Sequence, residues 1–326
     1  MPPEREVQKK QRRSERKNSK RSGARCGRGG LTSHRSRPGG LATLAAMFYD
    51  LPMLYESSNL VPVHRLYYAW MGWPTEGTLL PPRNMALSGS GANAELTQAW
   101  AADGLTCVSE AWSPQQVQLV FRVAPGVAPV AFTQRVKGRL QYALRRNNTP
   151  ATFSRKVGMR ALGANIGTTV QRYVREQLEH VDLADPRYAQ RLAEASRDDL
   201  SVDLSSPTQT DSGRYWYNLH LVLVTAGRYR VGTELQIGDW SATVRATAAG
   251  SGCAVRALAV MPDHVHLAMR GNITLPPVEI GVLFQNALAK TAGGRAWQDR
   301  FYIGTFGEYS LHVVVPELLH RRGCQN

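Results

Sequence analysis

Apolar and polar positions along the chain change period several times, and the changes mark out elements. Residues 215–224 form an aromatic, alternating run, and that period of two predicts a strand. Residues 227–232 then read as a turn region, and a second strand falls near 257–269. A helical stretch follows Pro277, over residues 278–292. Nearer the front, Val136, Leu140 and Leu144 recur at helical spacing within 132–146. Arg135, Lys137, Arg139, Arg145 and Arg146 surround that apolar stripe. A Gly-rich turn over 158–167 leads into a further helix over 168–178, with Thr168 or Thr169 as its cap. Strands alternating with helices predict an α+β fold, with helices on one side of an antiparallel sheet.

The pattern occurs twice. Arg65-Leu-Tyr-Tyr-Ala-Trp70 resembles Arg214-Tyr-Trp-Tyr-Asn-Leu219. Ser113-Pro-Gln-Gln-Val-Gln-Leu-Val-Phe-Arg122 resembles Met261-Pro-Asp-His-Val-His-Leu-Ala-Met-Arg270. A Pro-containing turn and a helical stretch, over 130–145 and 278–292, follow each second block at nearly the same offset. A two-fold duplication explains this better than a solenoid does. The predicted organisation is a basic tail over 1–46 and a first repeat over 47–181. A linker with a short helix occupies 182–212, and a second repeat 213–326. Each repeat is expected to be a ferredoxin/RRM-like unit.

Charge adds a partner class. The chain of 326 residues carries a net charge of +15, and residues 1–40 hold 13 Lys/Arg against 3 Glu. That segment has almost no large apolar residue. It cannot offset its ordering entropy by burial and is expected to be disordered. A basic arm favours polyanions through counterion release, nucleic acid before a merely solubilising role. The four cysteines form no CxxC pair, which points away from a disulfide framework or zinc site. No apolar run approaches bilayer length, so a cytoplasmic protein and no membrane partner are expected.

Two constellations could carry chemistry. On a strand, His264 and His266 face the same way, and two imidazoles on one face can hold a divalent ion. Taken alone, such a pair is more often hydrogen-bonded surface histidines. Tyr173 and Gln177 share a helical face at i and i+4, and would present a nucleophile and an amide ligand together. A phenol with its free pKa near 10 needs a metal or base to attack at neutral pH. Tyr302 and Tyr309 compete as nucleophiles, and Asp263 could orient an imidazole.

Met261-Pro-Asp-His-Val-His-Leu267, the helix after it and Trp297-Gln-Asp-Arg-Phe-Tyr-Ile-Gly-Thr-Phe-Gly307 resemble the small HUH single-tyrosine transposases, of the insertion-sequence and REP-associated kinds. The resemblance is good over about 213–315 and weak over about 62–178. It implies cleavage and rejoining of single-stranded or hairpin DNA through a 5′-phosphotyrosine and a free 3′-hydroxyl. It also implies Mg²⁺ or Mn²⁺ held by two histidines and a glutamine.

The two copies depart from the family in opposite ways. The front copy has Gln116 and Gln118 where the histidines belong, yet keeps Tyr173 and Gln177. The back copy keeps His264 and His266, but has Glu317 opposite Tyr173 and Arg321 opposite Gln177, with Pro316 breaking the helix. Insertion-sequence members are dimers whose tyrosine helix can reach the partner's histidines. An intramolecular pseudo-dimer, possible as a monomer, would therefore keep one composite site: Tyr173 with His264, His266 and Gln177. The rival is a non-catalytic nucleic-acid-binding protein derived from a transposase. Arg135, Lys137 and Arg139 are candidate phosphate contacts. Tyr67, Tyr68, Trp216 and Tyr217 could stack bases, but alternation puts half of them in the core.

Overall fold

The computed structural model describes residues 54–311, apart from 89–90, 150, 182 and 232–233. The basic tail and the positions of Pro316, Glu317 and Arg321 lie outside the described residues. The front half runs β1 (Val63–Arg65), β2 (Tyr67–Pro74), α1 (Arg83–Ala86), α2 (Ala92–Ala102), β3 (Leu105–Ser113) and β4 (Gln116–Val123). It continues through α3 (Pro129–Arg146), β5 (Phe153–Leu162) and α4 (Gly167–Arg175). A 3₁₀ turn (Glu176–His180), α5 (Pro186–Ala195), β6 (Arg197–Asp198), β7 (Thr208–Thr210) and β8 (Gly213–Trp216) connect it to the back half. There β9 (Asn218–Thr225), α6 (Glu234–Ser251), β10 (Ala254–Val260), β11 (His264–Arg270), α7 (Pro277–Thr291) and β12 (Trp297–Phe306) follow.

The strands build two six-stranded sheets. The front order is β3-β4-β2-β5-β8-β7 and the back order is β1-β12-β9-β11-β10-β6. The cores β3-β4-β2-β5 and β10-β11-β9-β12 repeat one arrangement, antiparallel throughout. Each whole sheet is mixed, not purely antiparallel as expected. The strand just before each core crosses over and pairs in parallel with the last strand of the other half, β1 with β12 and β8 with β5. Register also refines the match between halves. Met71 faces Gln118 as Val222 faces His266, so Tyr67 corresponds to Asn218. That is two residues from the alignment by sequence, and an even shift keeps every side chain on its face.

The halves exchange hydrogen bonds reciprocally. Val130 N–H donates to the Ile273 carbonyl (3.2 Å), and Val278 N–H to the Pro125 carbonyl (3.0 Å). These cap the starts of α3 and α7, each of which begins with proline. Gly167 N–H donates to the Gly307 carbonyl, and Leu311 N–H to the Gly163 carbonyl, both at 2.7 Å. The backbones at this crossing are too close for a side chain. A Cβ on Gly163 would lie 2.2 Å from the Thr305 carbonyl oxygen, and one on Gly307 2.1 Å from that of Ala161.

The inner faces of both sheets contribute to one continuous apolar core, with Tyr68, Phe121, Phe132, Tyr217, Phe284 and Phe301 buried in it. Tyr68 and Tyr217 are thus core residues. Tyr67 and Trp216 face outward, and the Arg160 guanidinium lies 3.8 Å from the Trp216 ring. The outer face of the back sheet is covered too, so helices lie on both of its sides. Val170 and Val174 of α4 pack on Ala257, Ala259, Ala268 and Phe306. Three alanines in that patch let the helix approach closely. The expected linker contributes α5 and an edge strand to each sheet. Among the described residues, no helix is long and apolar enough to cross a membrane.

Candidate functional site

The β10–β11 hairpin turns over Met261-Pro-Asp-His264, closed by Met261 N–H donating to the His264 carbonyl (2.8 Å). Proline is favoured at the second position of such a turn because its φ is preset. The turn leaves Asp263 beside the first histidine. Alternation along β11 then puts His264 and His266 on the outer face, with ring centroids 4.8 Å apart.

Each histidine is held at Nδ1. His264 Nδ1–H donates to Asp263 Oδ1 (2.6 Å), and Arg228 Nη1 donates to Asp263 Oδ2 (3.0 Å). Burial works against the Asp263 charge, but His264 and Arg228 outweigh it and hold the carboxyl below its usual range. His266 Nδ1 meets His220 Nε2 at 3.2 Å. His220 stands on the neighbouring strand β9, and it was not among the residues singled out from sequence. Burial lowers its pKa to about 4. Burial first, then His220 and His264, press His266 far below the ordinary histidine value, so its imidazole is neutral at pH 7.

Helix α4 arrives from the front half over this face. Its cap is not Thr168 or Thr169. The N-cap is Ile166, without a side-chain bond, and the Gly307 carbonyl accepts the Gly167 N–H instead. Tyr173, 46% exposed, projects from α4 with its ring centroid 5.6 Å from His266 and 5.9 Å from His220, both edge to face. The sequence-derived tyrosine and histidines are thus brought together. Gln177 hydrogen-bonds back onto its own helix. The backbone tightens to 3₁₀ at Glu176, leaving Gln177 buried, its Nε2 donating to the Tyr173 carbonyl (2.9 Å). Its carbonyl oxygen is then the atom suited to a hard cation.

With each Nδ1 engaged, Nε2 of His264 and of His266 is the ring nitrogen left for a metal on this face. This donor set fits an ion that keeps open positions for phosphate oxygens, and imidazole nitrogen suits Mn²⁺ better than Mg²⁺. Among the described residues, no three His, Cys, Asp or Glu side chains form a closed metal cage.

Other expected residues lie elsewhere. Tyr302 is near His220, with centroids 5.6 Å apart. Tyr309 stacks with Arg160 at 5.6 Å. Arg135 and Arg139 both bind the turn at Asp103, Arg135 at its carbonyl (3.1 Å) and Arg139 at its carboxylate (3.0 Å). Lys137 donates to the Ser154 carbonyl (2.7 Å), and burial lowers its pKa. All three therefore have intramolecular partners, which tie α3 to its own half.

No curated protein matches the chain. Among solved structures, it is similar to the ligand-free regulatory subunit of aspartate kinase from Thermus thermophilus. The two are 10% identical over 72% of this chain and 98% of that one, at a TM-score of 0.15. At that score the likeness carries no argument about fold or function. Residues 214–316 match the family model described as "Transposase IS200 like", and this span, which includes His220, His264 and His266 but not Tyr173, supports a transposase relationship.

Proposed function

We propose that the protein cleaves and rejoins single-stranded or hairpin DNA at one composite site, as two copies of a transposase unit fused in one chain. The observation that carries this reading is the 5.6 Å separation of Tyr173 from His266, two side chains from opposite halves of the chain. The Tyr173 hydroxyl attacks the scissile phosphorus. The P–O3′ bond breaks, the 3′-oxygen leaves as a hydroxyl after taking a proton, and the phenolic proton passes to solvent. The resulting phosphotyrosine ester stores the phosphodiester energy, so the 3′-hydroxyl can reverse the step on the same or another strand. His264 and His266, with the Gln177 carbonyl, would hold Mn²⁺ or Mg²⁺. The ion supplies Lewis-acid polarisation of the phosphate. Asp263 orients His264, and α4 holds the Tyr173 ring edge to face with His266.

The test is covalent trapping on labelled single-stranded DNA with Mn²⁺. The wild-type chain should form an adduct stable to denaturant. Tyr173→Phe and the double variant His264→Ala/His266→Ala should form none. An adduct that persists in Tyr173→Phe would overturn the nucleophile. No adduct with any divalent metal would leave a DNA-binding descendant without turnover.

A further inference from the structure

The two imidazoles of β11 are not held by the same kind of partner. For His264 the direction of the hydrogen bond is fixed, since a carboxylate only accepts. For His266 it is open, because both atoms of the His220–His266 contact are ring nitrogens. The geometry of that contact is specific. The planes are within 17° of each other and the centroids are 5.4 Å apart. That separation equals the 3.2 Å N···N distance plus the two ring radii, so the imidazoles lie edge to edge and nearly coplanar, not face on face. A near-linear hydrogen bond joins them.

Its direction decides whether His266 can be a ligand. If His220 donated, His266 would accept at Nδ1 and carry its proton at Nε2, leaving no lone pair for a metal. If His266 donates, its Nε2 is free to coordinate. We infer that His220 is a positioning residue: its Nε2 accepts the Nδ1–H of His266 and fixes that ring in the tautomer that presents Nε2 to a cation. This inference rests on the metal-assisted reading above and adds to it the part played by β9. The same arrangement then holds at both histidines, a carboxylate acceptor for one and an imidazole acceptor for the other. It also requires His220 to carry its own proton at Nδ1. Strand register supports the pairing. His220 lies opposite Ala268, one step along the outer face from the Val222–His266 pair, so it reaches His266 diagonally.

Two variants of the full chain test this, with two readouts. Long-range ¹H–¹⁵N correlation of the histidine rings in the metal-free protein reports which nitrogen of His266 bears the proton. Titration with Mn²⁺, following free ion by electron paramagnetic resonance, reports affinity. Wild type should show His266 protonated at Nδ1. His220→Gln offers a carbonyl acceptor in place of Nε2 and should keep both the tautomer and most of the affinity. His220→Ala should shift His266 toward the Nε2–H form and weaken Mn²⁺ binding roughly 10- to 100-fold, the usual cost of losing an outer-shell partner. A wild-type His266 protonated at Nε2 would overturn the inference, as would a folded His220→Ala that binds Mn²⁺ like wild type. Should His220→Ala fail to fold, the wild-type tautomer and His220→Gln still decide. Mn²⁺ binding unaffected by His264→Ala would count against the metal reading instead, and the tautomer result would stand apart from it.

Discussion

Two phenols lie beside the outer-face histidines, Tyr173 against His266 and His220 and Tyr302 against His220 alone, and their surroundings differ. Tyr302 leans along its strand until its hydroxyl sits over Gly304, where an added Cβ would come within 2.4 Å of it. Burial raises its pKa, and the opposing pull of Arg65 does not cancel that effect. A phenol held protonated in this way is a poorer nucleophile at neutral pH. Tyr173 projects from a helix on the open side of the site and is 46% exposed, so a phosphodiester can approach it. Tyr302→Phe is therefore expected to leave the yield of covalent DNA adduct essentially at the wild-type level in a gel assay. A Tyr302→Phe chain that folds but forms no adduct would transfer the nucleophile to Tyr302. Gln177 follows similar logic. Its amide nitrogen is committed to the Tyr173 carbonyl, so Gln177→Glu loses a hydrogen bond within the helix end while supplying a carboxylate oxygen. Mn²⁺ affinity should hold or rise in that variant if the oxygen is a ligand.

At the scale of elements, the site depends on how α4 is seated. Three alanines of the back sheet accept Val170 and Val174, and the crossing of the segments at Gly163 and Gly307, which bridges Gly163 to Ser310 and Ile166 to Gly307, fixes where the helix starts. A side chain at either glycine meets backbone, which cannot rotate away. Gly163→Ala and Gly307→Ala should each lower stability by about 1–3 kcal/mol, the usual cost of overpacking. Urea denaturation would read this as a lower midpoint, and a wild-type midpoint in both would show that the crossing is loose. Because the crossing also carries the α4 cap, adduct formation should fall even where the variants remain folded. Much of this was legible in the sequence. The Met-Pro-Asp-His block and strand alternation put His264 and His266 on one face, and i,i+4 spacing linked Tyr173 to Gln177. Two features were not legible, and a third was legible only in part. Helix α6 buries Ile237, Trp240, Val244 and Ala248 at helical spacing, but the alanines, threonines and glycines between them blur the contrast that periodicity needs. The cap of α4 comes from Gly307, far along the chain, so no local Ser or Thr rule could find it. His220 had a visible signal, a histidine on the outward side of the alternating strand β9. Its meaning depends on β9 lying next to β11, which is a fact of sheet order rather than of sequence.

Over the whole molecule, the reciprocal bonds between halves make a prediction about stoichiometry. A single-unit enzyme with one tyrosine helix and one histidine strand per chain could assemble its site between two chains. Here β1 is built into the back sheet, β8 into the front sheet, and the core runs through both halves. The α4 that covers His266 therefore belongs to the same chain, and moving it to another chain would mean breaking a shared core. The composite site should act in cis. Mixing Tyr173→Phe protein with His264→Ala/His266→Ala protein in equal amounts tests this directly, since each carries the half the other lacks. If the halves were free to exchange, as in a swapped dimer, mixing would restore a fraction of the adduct. With the halves locked within each chain, the mixture should form no more adduct than either variant alone, at any protein concentration. Adduct that appears on mixing and grows with concentration would mean that the active form is assembled between chains. The intramolecular pairing of Tyr173 with His266 would then be only one of two arrangements open to the fused protein.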